Sequence, residues 1–204
     1  EAEGTPLKQY GKQYDVITIA DMCADLMIWG PDLEPDFSQK EKLLDGYLLE
    51  MGGSCAIFAC QCAKLGMKAS VIGTVGRDMM GRLIVDRLGE SGVDVGHVIW
   101  RDDVQSSLGV AMCRGSERAI FASADGLDAT EYAQIPREYL TGARHIHIGS
   151  YFLLNRMRPH FPEIVRTVKA AGGTVSLDTN WDPNERWDDG LLDLLPAQDF
   201  QASR

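Results

Sequence analysis

The sequence has no long apolar run, a shortage of positive charge and no paired cysteine motif, and each shortage removes a class of function. No stretch approaches the roughly 20 apolar residues that a membrane-spanning helix needs. The polar opening EAEGTPLKQYGKQYD reads as neither anchor nor signal peptide, and its lack of an initiator Met suggests a processed or tag-derived start. Lys and Arg number 20 against 30 Asp and Glu, a formal net charge of −10. No basic stripe can therefore neutralise phosphates, which argues against nucleic acid and anionic membrane as partners. The five cysteines (Cys23, Cys55, Cys60, Cys62, Cys113) form an odd set without a CxxC pair. Free thiols in a reducing cytoplasm are the expectation. Cys60 and Cys62 fall about 200° apart on a helix and cannot share a metal. Also absent is a GxGxxG turn between a strand and a helix, which a dinucleotide-binding fold requires.

What is present suffices for one good core: 204 residues, 45% of them hydrophobic, read as a single α/β domain over residues 1–204. Asp15 to Ala20 is a β-branched, buried first strand. It leads to Asp21 and Asp25, and open α/β sheets bind ligands just past the carboxyl ends of their strands. Asp25 to Trp29, Leu43 to Met51, Leu108 to Cys113 and Ala119 to Ala122 read as strands of a small separate sheet, with a hairpin turn at Arg114–Glu117. Elsewhere strands and helices alternate: a strand from Lys68 to Val75, a helix from Gly81 to Ser91, a strand from Val95 to Trp100 and a helix from Glu131 to Leu140. A strand from His145 to Gly149, a helix from Pro159 to Ala171, a strand from Thr174 to Asp178 and a helix starting at Gly190 follow. Such alternation with short connections predicts a mainly parallel sheet in a three-layer arrangement.

The stretch from Met51 to Gly81 is the densest in signals. Gly52 and Gly53 permit a tight turn and close backbone approach to a ligand. Ser54 is placed to cap the helix that follows, whose first amides would face a polar or anionic ligand atom. Ala56 to Leu65 is apolar nearly all round, which predicts a buried helix closed by Gly66. The element Gly76-Arg77-Asp78-Met79-Met80-Gly81 is a second glycine-bounded turn.

These residues resemble the PfkB (ribokinase-like) family of carbohydrate and nucleoside kinases. The GG turn, Ala59, Gly66, Gly76 and the GxDxxG element fit its N-terminal signature, and the resemblance runs from Asp15 to about Asp193. It implies a ribokinase-like α/β/α fold whose small sheet, over about residues 25–51 and 108–122, is a lid above the sugar and pairs with a second lid in a homodimer. It implies that Asp25 binds a sugar hydroxyl pair, that Gly52, Gly53 and Ser54 touch the substrate, and that Gly76 and Asp78 support the site. Asn180, in LDTNWDP, would face the same pocket, with Ser150 and Tyr151 as further lining. Ile57 stands where most members carry Asn, so it is expected in the core or along an apolar part of the pocket. Asp182 stands where some acid-sugar kinases carry Arg, which disfavours an anionic sugar.

Each residue also has a plainer reading. Asp25 or Asp21 can cap a turn or helix, and glycines occur wherever a turn needs positive φ. His145 and His147 share a strand face, yet without a third ligand a structural pair is expected and no metal site. Trp181 and Trp187 can stack on a pyranose, although core packing is the stronger expectation.

The resemblance implies ATP and Mg²⁺, but the GAGD motif that would supply base and anion hole does not occur in these 204 residues. NxxE is missing as well, since Trp187 stands where its Glu would follow Asn184. No catalytic residue is therefore assigned. Three readings remain: the sugar-binding part of a kinase whose C-terminal part is missing, inactive by itself; a non-catalytic sugar-binding or lid-dimerising protein; or a dehydrogenase on a doubly wound sheet, disfavoured by the absent dinucleotide loop.

Overall fold

A computed structural model of the chain describes residues 12–19, 21–123, 125–197 and 199–202. Ala20, Gln198 and most of the polar opening lie outside them. Eleven strands are described: β1 (Tyr14–Ile19), β2 (Cys23–Trp29), β3 (Gly46–Gly52), β4 (Ala69–Ile72), β5 (Thr74–Gly76), β6 (Ile99–Arg101), β7 (Leu108–Arg114), β8 (Glu117–Ala122), β9 (Ala143–Ile148), β10 (Thr174–Asp178) and β11 (Phe200–Ala202). Five α-helices accompany them: α1 (Ser54–Lys64), α2 (Met79–Glu90), α3 (Arg137–Thr141), α4 (Phe161–Ala170) and α5 (Leu191–Leu194).

The main sheet is parallel throughout, in the order β11-β10-β9-β1-β4. Within it, β1 pairs Val16 with Ala69 on one side and with His145 on the other. Alternate residues of β1 serve opposite layers, as a pleated strand requires. Ile17 and Ile19 join Ile146, Ile148, Val175 and Leu177 under α4, which contributes Phe161, Ile164, Val165 and Val168. Val16 joins Ala69 and Val71 under α1 and α2, against Ala56, Ala59, Ile84 and Leu88. Both faces are thus dry, which explains why these strands read as continuous apolar runs. Each fully buried side chain of this kind contributes roughly 1.5–3 kcal/mol.

The smaller sheet is mixed, in the order β3-β2-β7-β8, with β2 parallel to β7 and the other pairs antiparallel. Gly115, at φ +60°, turns the β7–β8 hairpin where the sequence places it. One face, with Ala24, Leu49, Met51 and Leu108, packs on the α1–α2 core. Asp25 belongs to the opposite face, in register with Glu50 and Gly109.

Several sequence expectations need correction. The strand expected from Lys68 to Val75 divides at Gly73, and β5 leaves the main sheet to pair with β6. The strand expected from Val95 to Trp100 shrinks to Ile99–Arg101. The helix expected from Glu131 to Leu140 is a 3₁₀ turn (Tyr132–Gln134) followed by α3, because the residue before Pro136 is driven out of helical space, with Ile135 at φ −95°, ψ 110°. The helix expected from Pro159 opens as a 3₁₀ turn and becomes α-helical only at Phe161. Finally, α1 is not buried all round: Ile57 is 46% exposed, so it is no core residue.

Candidate functional site

Three neighbouring parallel strands end in the same way. Two residues beyond the last strand residue of β1, β9 and β10 stand Asp21, Ser150 and Asn180, each polar and each in the left-handed region (φ 51°, 53° and 55°). Left-handed backbone at non-glycine residues costs free energy, less for Asp and Asn than for Ser. All three lie at the carboxyl edge of the sheet, where α/β folds gather their ligands.

Asp21 is the hub. Its Oδ2 accepts the Ser54 backbone N–H at 2.7 Å, the Ser54 hydroxyl at 2.5 Å, the Cys55 N–H at 3.3 Å and the Ser150 hydroxyl at 2.6 Å. Asn180 Nδ2 in turn donates to Ser150 Oγ at 2.9 Å. The capping expectation for Ser54 is therefore corrected. Gly53, at φ +93°, is the cap residue and Ser54 is the first helical residue. The amides expected to face a ligand are occupied by a carboxylate from 33 residues earlier in the chain. Gly53 has no room for a side chain, because a Cβ there would overlap the Asp21 carbonyl.

Asp25 sits on β2 above this edge. A Cβ on Gly52 would overlap its carboxylate, and one on Gly109 would lie 2.7 Å from Oδ1. Two glycines on flanking strands therefore make the room that this carboxylate occupies. Its Oδ1 accepts from the Cys23 thiol at 3.2 Å. Burial, and then the charges of Asp25 and Asp21, push that thiol well above its ordinary value, so both carboxylates bear on one spot. Among the described residues neither carboxylate makes an ion pair.

Gly76 and Asp78 form a junction beside the site. Asp78 caps α2 by accepting the Gly81 N–H at 2.8 Å, while its other oxygen accepts the Ser106 N–H at 2.8 Å. Gly76 donates its own N–H to Ser106 Oγ at 2.9 Å. Burial opposes ionisation of Asp78, but these amide bonds prevail and its carboxyl lies below the usual range. A hollow of about 520 Å³ opens between this cap and the β7–β8 hairpin, lined by Met79, Met80, Leu108, Val110 and Phe121. It adjoins the face of the small sheet turned away from Asp25.

The segment after Asn180 departs from expectation twice. Asp182 does not face a pocket. It is fully buried and accepts the N–H groups of Asn184, Arg186 and Trp187 at 2.8–2.9 Å. Burial resists its charge, but these three bonds hold its carboxyl below the ordinary value. The Asp182 argument against an anionic sugar therefore loses its basis. Trp181 and Trp187 are not core residues either: they are 60% and 44% exposed and meet edge to face at 4.8 Å. Tyr151 is buried and donates its hydroxyl to the Asp189 carbonyl at 3.0 Å, which makes it a brace for this segment.

His145 and His147 are bridged by Ser176 Oγ, at 2.7 and 2.8 Å, and His145 also meets Thr174 Oγ1 at 2.8 Å. His147 lies against the Phe58 ring at 4.2 Å. Burial foremost, then His145, pulls its pKa down to about 4, so it is neutral in ordinary buffers. Among the described residues no three His, Cys, Asp or Glu side chains gather to hold a metal ion. The first two amides of α1 are occupied by Asp21 and are not offered to a phosphate.

Sequence reasoning gave Ser150 a minor part and passed over Gly109. An isolated glycine within a strand was the available signal for the latter. No described helix is long and apolar enough to cross a membrane.

A model of the pfkB family carbohydrate kinases matches residues 18–200. Probable fructokinase-5 of Arabidopsis thaliana is 29% identical over 166 residues, which span 76% of this chain and 51% of that protein. The 5-dehydro-2-deoxygluconokinase of Shouchella clausii is 27% identical over 188 residues, spanning 86% and 53%. The chain thus spans about half the length of the curated relatives it matches. Among solved structures, the fructokinase from Xylella fastidiosa with bound ATP superposes with a TM-score of 0.75 at 21% identity, covering 92% of this chain and 60% of the other. The parallel sheet with its smaller mixed sheet is therefore the ribokinase-like fold, and the chain belongs to the pfkB family of carbohydrate kinases.

Proposed function

We propose that this chain carries the sugar-binding part of an ATP-dependent kinase that phosphorylates a sugar hydroxyl. The observation that supports this most is the placement of the Asp25 carboxylate, cleared by Gly52 and Gly109 and without an ion pair among the described residues, above an edge where Ser54, Ser150 and, through Ser150, Asn180 are fixed by Asp21. An ionised carboxylate only accepts hydrogen bonds, so two adjacent hydroxyls of a sugar satisfy both of its oxygens. The Gly52–Ser54 turn and Asn180 complete the cradle, with Gly76 and Asp78 as its support. Two unpaired carboxylates favour a neutral sugar over an anionic one, since a substrate carboxylate beside them would be repelled.

In this reading the small sheet is a lid over the sugar. The phosphoryl donor is ATP with Mg²⁺, as the ATP held by the Xylella fructokinase suggests. The donor site and the base that takes the proton from the attacking hydroxyl belong to residues other than these 204, in which no GAGD segment occurs. The residues described here bind and orient the sugar. Calorimetric titration of the 204-residue chain with D-fructose, D-ribose and D-glucose tests the reading. One sugar is expected to bind, Asp25→Asn to weaken it at least tenfold, and no ADP to be released from ATP. Absence of binding by a folded chain, or equal binding by Asp25→Asn, would overturn it.

A second reading, a non-catalytic sugar-binding protein that dimerises through its lid, draws on the exposed Leu48 and Ile120, which share a sheet face with Asp25. Sugar-dependent ADP release by a longer polypeptide carrying this sequence would exclude it.

A further inference from the structure

The hydrogen bonds that cross the sheet edge run in one direction only, and that direction is set at both ends. At one end stands the Asp21 carboxylate, 3% exposed, which can accept and not donate. At the other stands the backbone N–H of Trp181, which can only donate and reaches Asn180 Oδ1 at 2.7 Å. With Oδ1 engaged there, the amide of Asn180 must turn Nδ2 toward Ser150, which accepts it at 2.9 Å. Ser150 is fully buried and gives its hydroxyl proton to Asp21 at 2.6 Å. Ser54 gives its proton to the same oxygen at 2.5 Å. The 3.3 Å approach of the two serine oxygens is therefore a contact between lone pairs, with no proton left to share.

From this we infer that Asp21 is a positioning residue that fixes the hydrogen-bond polarity of the sugar site, an inference that rests on the sugar-binding reading above. With its proton committed, Ser54 Oγ offers only lone pairs to a ligand. Asn180 keeps one Nδ2 hydrogen to donate. The site thus selects a polyol that donates one hydroxyl proton to Ser54 and accepts one hydrogen bond from Asn180. The three left-handed residues hold this alignment before any ligand arrives, so binding need not order it. A plain helix cap would need the bonds to Ser54 and Cys55 alone; the bond to Ser150 and through it to Asn180 extends well past α1.

The test is a cycle of substitutions read as sugar affinity. D-fructose, D-ribose and D-glucose are titrated calorimetrically into the parent chain, then into Asp21→Asn, Ser150→Ala and the double variant. Asn keeps a carbonyl oxygen that can accept the Ser54 and Cys55 N–H groups, so Asp21→Asn should still fold, with a lower melting temperature that reports the charge-assisted bonds it loses. It removes the charge that commits both hydroxyl protons, and affinity should fall on the order of tenfold, since charge-assisted bonds are about twice as strong as neutral ones. In the Ser150→Ala background the same change should cost no more than about threefold, because the link to Asn180 is already cut. Equal loss in both backgrounds, or no loss at all, overturns the inference while the sugar-binding reading stands. A folded parent that binds none of the sugars overturns both. Should Asp21→Asn fail to fold, Ser150→Ala with and without Asn180→Ala decides the matter. Coupling between those two is required, and additive losses refute it.

Discussion

Asp78 Oδ2 accepts the backbone N–H of Ser106 at 2.8 Å, joining the start of α2 to the loop that feeds β7. Because β7 carries Gly109 next to Asp25, this bond sets where β7 lies relative to the Asp25 carboxylate. Asp78→Ala removes this tie together with the α2 cap. A lost cap costs about 1 kcal/mol, and a buried amide left unpaired a further 1–2. Urea denaturation should show a loss of roughly 2–3 kcal/mol together with weaker sugar binding. A loss below about 0.5 kcal/mol would mean that water replaces both bonds.

The sequence conveys the parallel core well because both cores depend on contiguous patterns. The run Thr174–Asp178, bounded by Gly172-Gly173 and Asn180, is a strand with the expected limits. The hairpin at Gly115 and the four strands of the small sheet follow from alternation and turn residues, although β3 starts at Gly46 and not at the expected Leu43. What it conveys poorly is non-local. Ser54 looks like a cap because Ser favours that position, but the carboxylate that satisfies α1 comes from Asp21. Lys68 to Val75 reads as one strand because both parts are buried, and only pairing with β6 reveals the division. Trp181 and Trp187 are exposed because the buried Asp182 gathers the amides of its own loop, an arrangement that hydrophobicity does not encode.

Gly52 and Gly89 should answer oppositely to the same substitution. At Gly52 a Cβ overlaps the Asp25 carboxylate, a flexible side chain that can swing away. Gly52→Ala is expected to cost at least tenfold in sugar affinity with only a modest loss of stability. At Gly89, near the end of α2, nothing lies within 4 Å of a new Cβ. There Ala should stabilise by roughly 0.5–1 kcal/mol and leave binding unchanged. Binding retained by Gly52→Ala would remove Asp25 from the site.

Acid should erode stability through His147 before the carboxylates respond. Its folded pKa, about 4 against an ordinary 6.5, means that the unfolded chain binds the extra proton between those values. Stability is therefore full above about pH 6.5, declines as pH falls toward 4, and levels off for this group below that. The decline amounts to roughly 3 kcal/mol at 1.36 kcal/mol per pKa unit. Asp78, Asp94, Asp182 and Asp199, all held below their ordinary value, add their losses only under more acid conditions. His147→Gln should flatten the upper part of a stability–pH curve measured by urea denaturation. A slope unchanged between pH 6.5 and 4 would assign the effect elsewhere.

Dimerisation through the lid makes a specific demand on Ile120. Met27 pairs with Leu48 on one side and with Ala111 on the other, and Ala111 pairs with Ile120, so these four form a row across the sheet face that bears Asp25. Leu48 is 48% and Ile120 55% exposed, and every residue of the edge strand β8 is exposed. An open apolar edge strand invites pairing or cover. Two copies packed row against row would hide the edge and this apolar row, which lies two residues along β2 from Asp25, and leave Asp25 open to a ligand. A lysine at the Ile120 end of that contact would be buried without a partner and would split the pair. Light scattering after size exclusion should therefore report a dimer for the parent chain and a monomer for Ile120→Lys, with an unchanged melting temperature under dilute conditions where both are monomeric. A monomeric parent at high micromolar concentration, or a dimeric Ile120→Lys, would rule out this lid contact.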